Sequence, residues 1–407
     1  MTVVIVNDFD YIQGGASNVA LMTADILYKN NIKVVFFSAA TRGEKKNYEI
    51  ISSNQREFLK DSNKIGAVLR GIWNAKARLK FKKLLKTLDP TTTIIHFHGW
   101  TKALSSSVYD IAFQMKFPVV LTVHDYFTVC PNGGFFLYPE VKSCKLKPCS
   151  MKCLAKNCDS RSYKYKLYRF LRQFVQNKKV GLIKKLKYVI SISDFSIEKV
   201  QPYLSKDIVI RRIYNPLLLE KKNRALVLKN RYFIFVGSLI KLKGIELFCQ
   251  AVTELGYQGV VVGDGVLKDY LKKKYPQILF TGWKTPIEVQ EYLQNAQAFI
   301  FPSLCYECAP LTIMEALSMG LPCVVSDECA AIEFVQHEKT GLYFKHNDLG
   351  DLKKQMKRLE NNRDELENFS LNAYEKYWDN PYDSQLYFRH LHQYYNFILE
   401  DFNSRQN

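Results

Sequence analysis

Residues Ala298–Asp327 read AFIFPSLCYECAPLTIMEALSMGLPCVVSD, and their punctuation decides the fold. Ala298–Phe301 is an apolar run short enough to be a buried strand. Pro302–Ala309 is a loop that carries Glu307. Pro310 suits the first position of a helix and Gly320 the position just past its end. Leu321–Ser326 follows as the next buried strand. Strand, loop, helix, strand is one unit of a parallel sheet. Within Pro310–Met319 the only charged side chain is Glu315. A carboxylate on a mostly buried helix is costly unless donors satisfy it. Glu315 therefore either pairs with a basic residue or faces a cavity where a ligand supplies donors.

The same alternation runs through the chain in both directions. At 407 residues it is long for one core, and two domains are expected. The formal charge of +19 points to an anionic partner: nucleic acid, a nucleotide-bearing substrate or an acidic membrane surface. MTVVIVNDFD reads as a first strand, not a signal peptide. No segment reaches the roughly 18 uninterrupted apolar residues of a spanning helix. This pattern predicts a cytoplasmic protein whose ten cysteines are mostly reduced.

Upstream, Thr2–Asn7 is a strand that runs into Gly14-Gly15 and a helix over Asn18–Lys29. Such a turn lets backbone approach an anion, or simply turns tightly; G-x-G-x-x-G is absent. Ile32–Ala39, Thr93–Phe97 and Val119–Val123 are further strands. His96 and His98 close one of them and His124-Asp125 another, at the sheet edge where open α/β folds bind ligands. Tyr126–Asp159 breaks the rhythm. Its Cys144, Cys149, Cys153 and Cys158, spaced C-x4-C-x3-C-x4-C, are either a structural zinc site, free thiols or a late disulfide. Lys64–Lys86 carries eight Lys and Arg and no acid, and Arg161–Lys187 carries ten and no acid. Both read as helical, with aromatics interleaved in the second. They suit an anionic membrane surface, or else a phosphorylated lipid-linked acceptor; no nucleic-acid motif accompanies them.

Downstream, Tyr188–Ser193 and Ile208–Ile213 close the first sheet, and 216–230 reads as a linker. Tyr232–Val236 restarts the pattern and ends in Gly237-Ser238-Leu239. Lys241-Leu242-Lys243-Gly244 precedes a helix, so either the Lys243 ammonium and the helix dipole act on one phosphate, or this is an ordinary surface lysine before an ordinary helix. Gly259–Val262 ends in Gly263-Asp264-Gly265, and Ile278–Thr281 in Gly282-Trp283. Glu288–Gln294 and Glu328–Val335 read as helices and Gly341–Phe344 as a strand. Tyr382–Phe402 is an aromatic-rich helix.

Taken together these motifs resemble the retaining, two-Rossmann-domain (GT-B) glycosyltransferases of family 4 (group 1). The resemblance covers nearly the whole chain and is strongest over Phe233–Phe344. It rests on Val236-Gly237-Ser238-Leu239, Lys243-Gly244, Gly263-Asp264-Gly265, Phe280-Thr281-Gly282, Phe301-Pro302-Ser303, Glu307-x7-Glu315, Gly320-Leu321-Pro322 and Glu338-Lys339-Thr340-Gly341.

The resemblance implies an α/β fold with two Rossmann-like domains facing across a cleft. It implies an acceptor-side domain over 1–215 with a cysteine-bearing insert at about 126–160, and a nucleotide-sugar domain over 231–380. The helix over 381–407 would pack back on the first domain. Glu315 matches the glutamate that accepts from the ribose hydroxyls, and Glu307 the one beside the donor sugar. The N–H groups of Leu311 and Thr312 would meet the pyrophosphate, and Lys243 is its lysine. Gly14, Gly15, Gly237, Ser238 and Gly282 fall in donor-binding loops. Ser238 stands where many members carry arginine, so Lys243, Lys241 or a basic residue of the first domain takes that charge. His124 matches a histidine at the sugar and His98 one on the acceptor side. Catalysis then falls to His124, Glu307 and Lys243, without metal or cofactor, since no Asp-x-Asp ends a strand. The implied substrates are a UDP- or GDP-linked sugar and a glycan acceptor, lipid-linked, in bacterial surface polysaccharide synthesis. The enzyme would be peripheral on the inner face of the cytoplasmic membrane. A non-catalytic sugar-nucleotide-binding scaffold is the alternative.

Overall fold

A computed structural model describes residues 1–43 and 45–406. The chain divides into two compact units, each built on one parallel sheet. The first takes the chain up to Phe135, Lys145–Pro216 and the stretch from Tyr382 on; the second takes Phe136–Cys144 and Leu217–Pro381.

In the first unit the strands are β1 (Thr2–Phe9), β2 (Lys33–Ala40), β3 (Glu49–Ser52), β4 (Thr93–Phe97) and β5 (Val119–Thr122). After the short hairpin β6 (Phe136–Leu137) and β7 (Lys142–Ser143) come β8 (Tyr188–Ser191) and β9 (Val209–Arg212). The sheet order is β3-β2-β1-β4-β5-β8-β9, and the register sets Ile5 between Phe36 and His96. These strands are runs of valine, isoleucine and phenylalanine buried on both faces, the pattern of a sheet covered by helices on each side. One cover is the helix Ser384–Ser404: its Tyr387, Leu391, Tyr395 and Ile398 share a core with Val3, Ile5, Phe36 and Ile94. Burying one such side chain is worth about 1.5–3 kcal/mol, so this helix is part of the first unit's stability.

The second unit has β10 (Tyr232–Val236), β11 (Gln258–Val262), β12 (Leu279–Gly282), β13 (Ala298–Phe301), β14 (Cys323–Ser326) and β15 (Gly341–Phe344). They run in the order β12-β11-β10-β13-β14-β15, all parallel. Each sheet therefore reverses its order once, between β1 and β4 in the first and between β10 and β13 in the second. Loops leaving the strand ends at such a reversal diverge and leave a crevice for a ligand.

Several boundaries differ from the sequence reading. Pro310 is the N-cap rather than the first helical residue, and the helix runs Leu311–Ser318 with Gly320 at φ +66° beyond its end. The segment 217–230, read as a linker, packs on the second unit: Ala225 N–H donates to Met319 O, and Val227 is buried. The insert divides. Phe136–Cys144 counts with the second unit, where Tyr306 stands beside Ser143 and Cys144, and Lys145 onward counts with the first. Lys64–Lys86 is two helices, Lys64–Ile72 and Ala75–Leu85, separated where the buried Asn74 caps the second through Ala77 N–H. No helix among the described residues is long and apolar enough to cross a membrane.

Candidate active site

In the second unit the functional side chains come from the two loops at the reversal. The turn Lys241–Lys243 follows β10, and Gly244, at φ +66°, starts the helix Ile245–Leu255. A Cβ on Gly244 would strike the Pro302 carbonyl, so only glycine lets this turn lie on the loop after β13. Two bonds stitch the loops: Leu304 N–H to Leu242 O at 2.8 Å and the Ser303 hydroxyl to the same oxygen at 3.3 Å.

That contact brings Lys243 Nζ to 2.6 Å from Glu307 Oε1, with the Ser303 hydroxyl donating to the same oxygen at 2.8 Å. Burial pushes the Glu307 carboxyl up, but the Lys243 ammonium and the Ser303 hydroxyl outweigh it and hold Glu307 below the usual range. Burial would likewise depress Lys243, and the neighbouring carboxylate more than reverses it. Both groups are ionised at neutral pH.

The helix Leu311–Ser318 begins with no side-chain cap and no acid in its first turn. The N–H groups of Leu311 and Thr312 are thus a positively polarised end without an internal acceptor. Glu315 follows in the next turn. Of the two fates expected for it, pairing with a base does not occur: among the described residues no donor reaches its carboxyl. Burial alone pushes it up to about 7.

The glycine loops meet one another at the ends of β10, β11 and β12. Gly237 N–H donates to Val262 O at 3.0 Å, and Gly263 N–H to Gly282 O at 2.9 Å. Gly263, at φ +138°, touches the Gly237 carbonyl where a Cβ would collide. Ser238 is exposed. A cation not picked out from the sequence stands here: Lys268 Nζ is 2.7 Å from Asp264 and close to Gly282. Its signal was the spacing Asp264-x3-Lys268 across a helix start.

In the first unit Gly14, at φ +103°, is the uncapped N-cap of the helix Gly15–Lys29. His98 Nδ1 and His124 Nε2 share a hydrogen bond at 2.9 Å. Burial pushes His124 down to about 3 and His98 well down, so both rings are neutral. His98 Nε2 is buried without a partner among the described residues. His96 is different: Tyr395 and Thr122 hold its two nitrogens at 2.6 and 2.7 Å, which makes it structural. Asp8, an acid at the end of β1, accepts N–H bonds from Lys102, Ala103 and Leu104 and fixes the loop after β4. Burial lifts Asp125 to about 6.

The cysteine segment has its own arrangement. Lys166, in the basic segment read as suited to an anionic surface, is instead fully buried and donates to Cys153 Sγ at 3.2 Å, with Cys158 beside it. Cys130 donates to Asn132. Cys144 and Cys149 are half-buried. Among the described residues no group of three or more His, Cys, Asp or Glu side chains is placed to hold a metal. The rest of the basic segments does present an outward face. Ile65 is 78 % and Leu69 62 % exposed, and Tyr165, Leu167, Leu171 and Phe174 of the helix Tyr163–Val175 are exposed as well.

Residues 13–221 match the model of Glycosyltransferase Family 4, and residues 219–376 that of Glycosyl transferases group 1. A similar protein is the Escherichia coli UDP-Gal:alpha-D-GlcNAc-diphosphoundecaprenol alpha-1,3-galactosyltransferase. It is 33% identical over 144 residues, 31% of this chain and 36% of that one. The putative teichuronic acid biosynthesis glycosyltransferase TuaC of Bacillus subtilis is 33% identical over 109 residues, 26% of this chain and 27% of its own. The chain thus spans about a third of the length of these curated relatives. Among solved structures, Anabaena HepE in complex with UDP and glucose superposes with a TM-score of 0.68 at 15% identity, over 97% of this chain and 100% of that one. Sucrose-phosphate synthase of Thermosynechococcus elongatus gives 0.70 at 15%, over 98% and 99%.

Proposed function

The chain belongs to glycosyltransferase family 4 and has the GT-B fold, and from that premise we propose that it transfers a sugar, with retention, from a nucleotide donor to a glycan acceptor. The observation that carries the proposal is Glu315. It is a carboxyl without a donor, in the turn after two uncapped N–H groups, on the helix that follows the loop of Glu307. A nucleoside diphosphate supplies ribose hydroxyls to Glu315 and phosphate oxygens to Leu311 N–H and Thr312 N–H, and shares the Lys243 ammonium with Glu307.

On this reading the bond from the sugar C1 to the diphosphate oxygen breaks as the acceptor hydroxyl attacks from the same face. The hydroxyl proton passes to the departing phosphate. Lys243 and the helix N–H groups stabilise the growing diphosphate charge, in place before reaction begins. Glu307, kept ionised by Lys243, accepts from donor-sugar hydroxyls. Lys268 and Lys241 are the candidates for the charge that Ser238 does not carry. His124 and His98 are assigned to sugar and acceptor. As neutral rings they position hydroxyls. The HepE complexes support a UDP-linked donor ahead of a GDP-linked one. Names such as the teichuronic acid and diphosphoundecaprenol enzymes support a surface polysaccharide and a lipid-linked acceptor, reached from an anionic bilayer that the exposed basic and apolar side chains engage.

The test is a thermal-shift and calorimetric screen of the protein against UDP, GDP and their sugars. UDP is expected to bind. If no nucleoside diphosphate binds, the assignment is lost.

A further inference from the structure

The first unit has a cavity of about 150 Å³ whose lining includes neither histidine of the pair. Its wall carries Lys102, Arg161, Arg169 and Arg172 against a single acid, Glu57. Glu57 is already engaged by Lys60 at 3.1 Å and by the Gln13 amide at 3.0 Å. Asp159 sits fully buried behind Arg169 at 2.9 Å and Arg161 at 3.5 Å, so it anchors these two without filling the cavity.

Arg172 is the informative member. It is only 9% exposed, lies over the Phe127 ring at 4.9 Å and donates one hydrogen bond, to Thr101 O at 3.0 Å. No carboxylate among the described residues lies within ion-pair distance of it. Asp8 and Asp125 act on it only at longer range, and burial pushes both toward their neutral forms. A buried guanidinium with most of its N–H groups unused, next to three more cations, is unfavourable unless an anion arrives.

The surroundings say what kind of anion. Tyr168 on the rim presses its hydroxyl against Gly71, which ties the helix Tyr163–Val175 to the helix Lys64–Ile72. Leu59 stands exposed at the cavity edge, and Ile65, Val68 and Leu69 continue the apolar surface from there. Arginines that can fork onto two oxygens suit phosphate better than a lone carboxylate. The apolar surface beside them suits a hydrocarbon.

We propose that this cavity binds the phosphate or diphosphate that joins an acceptor saccharide to its lipid, with the lipid lying across Leu59 and the exposed side chains of Lys64–Ile72. The proposal deepens the transferase reading and rests on it for the word acceptor; the lipid-phosphate site itself does not need it.

The experiment is titration calorimetry of the full chain with farnesyl diphosphate, inorganic pyrophosphate, farnesol and UDP. Farnesyl diphosphate is expected to bind, and more tightly than pyrophosphate or farnesol. Lys102→Gln changes an exposed residue and should keep the wild-type melting temperature; Arg161→Gln gives up one of the two partners of buried Asp159 and should stay folded with a slightly lower one. Each is expected to weaken farnesyl diphosphate by about tenfold, the value of one charge-assisted hydrogen bond, while leaving UDP affinity unchanged. Lys243→Ala should do the reverse. Unchanged farnesyl diphosphate affinity in both cavity variants and in a folded Arg172→Gln overturns the site. So does farnesol binding as well as its diphosphate. Pyrophosphate binding as tightly as the farnesyl ester removes the lipid and overturns the proposal as stated. Failure of UDP alone to bind sinks the donor reading and leaves this site standing.

Discussion

Lys243 Nζ and Glu307 Oε1 lie 2.6 Å apart although the residues belong to different loops, one after β10 and one after β13. The pair closes the point where the second sheet reverses its strand order. Its two charges cancel, so an arriving diphosphate has to compete with Glu307 for the ammonium, and the helix N–H groups share that work.

Replacing Lys243 by Ala is expected to lower kcat by about 10²–10³-fold, the size of losing one preorganised donor to developing charge. Stability should fall by about 1–2 kcal/mol, since the pair is partly exposed and screened. Steady-state rates and urea melts check both. In a double-mutant cycle with Glu307→Gln the two losses should not add.

Glu315 gives a pH signature. Its folded value of about 7 lies above the ordinary one, so the folded state binds the proton more tightly. Its contribution to stability is therefore present at acid pH and lost as pH rises from about 4.5 through 7. Glu315→Gln should match wild type near pH 4 and exceed it by about 1–2 kcal/mol near pH 8 in chemical melts. Ribose hydroxyls need the ionised carboxylate as acceptor, so UDP affinity should rise over the same interval. An affinity that is flat with pH and unchanged in the Gln variant would remove Glu315 from the ribose.

The histidines act with the opposite sign. His124 is pushed down to about 3 and His98 well down, so below about 6.5 the unfolded chain takes up protons that the folded one refuses. Stability falls as pH drops from there. A His98→Gln, His124→Gln double variant should unfold less steeply between about pH 6.5 and 4, measured by circular dichroism. Because both rings are neutral, wild-type kcat should show no limb from their titration between about pH 6 and 8.

Membrane association predicts co-sedimentation with vesicles of anionic phospholipid, weakening as salt shortens the range of charge attraction. Leu69→Asp with Leu171→Asp should abolish it without changing the melting temperature, because both side chains are exposed. No sedimentation of wild type at low salt would refute it.

Strand positions and the Ala298–Asp327 unit were legible because parallel strands buried on both faces appear as short apolar runs between glycine turns. Glu315 was legible as a charge without company. What escaped were features set by partners distant in sequence. Lys166 and Arg172 look like surface cations until Cys153 and Phe127 close over them. His96 looks equivalent to His98 until Tyr395, 299 residues on, takes its ring. Lys268 gains its place only when β11 and β12 lie side by side. The short strand β3 was missed, since Glu49–Ser52 carries too few apolar residues to stand out.

The helix Ser384–Ser404 is made after the second unit yet shares the core of the first, so the chain crosses back at Pro381/Tyr382. Synthesis therefore delivers the first sheet with that core face covered by the helix Gly15–Lys29 alone, and it stays so until the second unit has been made. A fragment ending at Pro216 lacks that second cover permanently. Recombination that exchanges the first half between relatives must bring its own final helix with it, or the new half arrives without a matching lid of aromatic side chains.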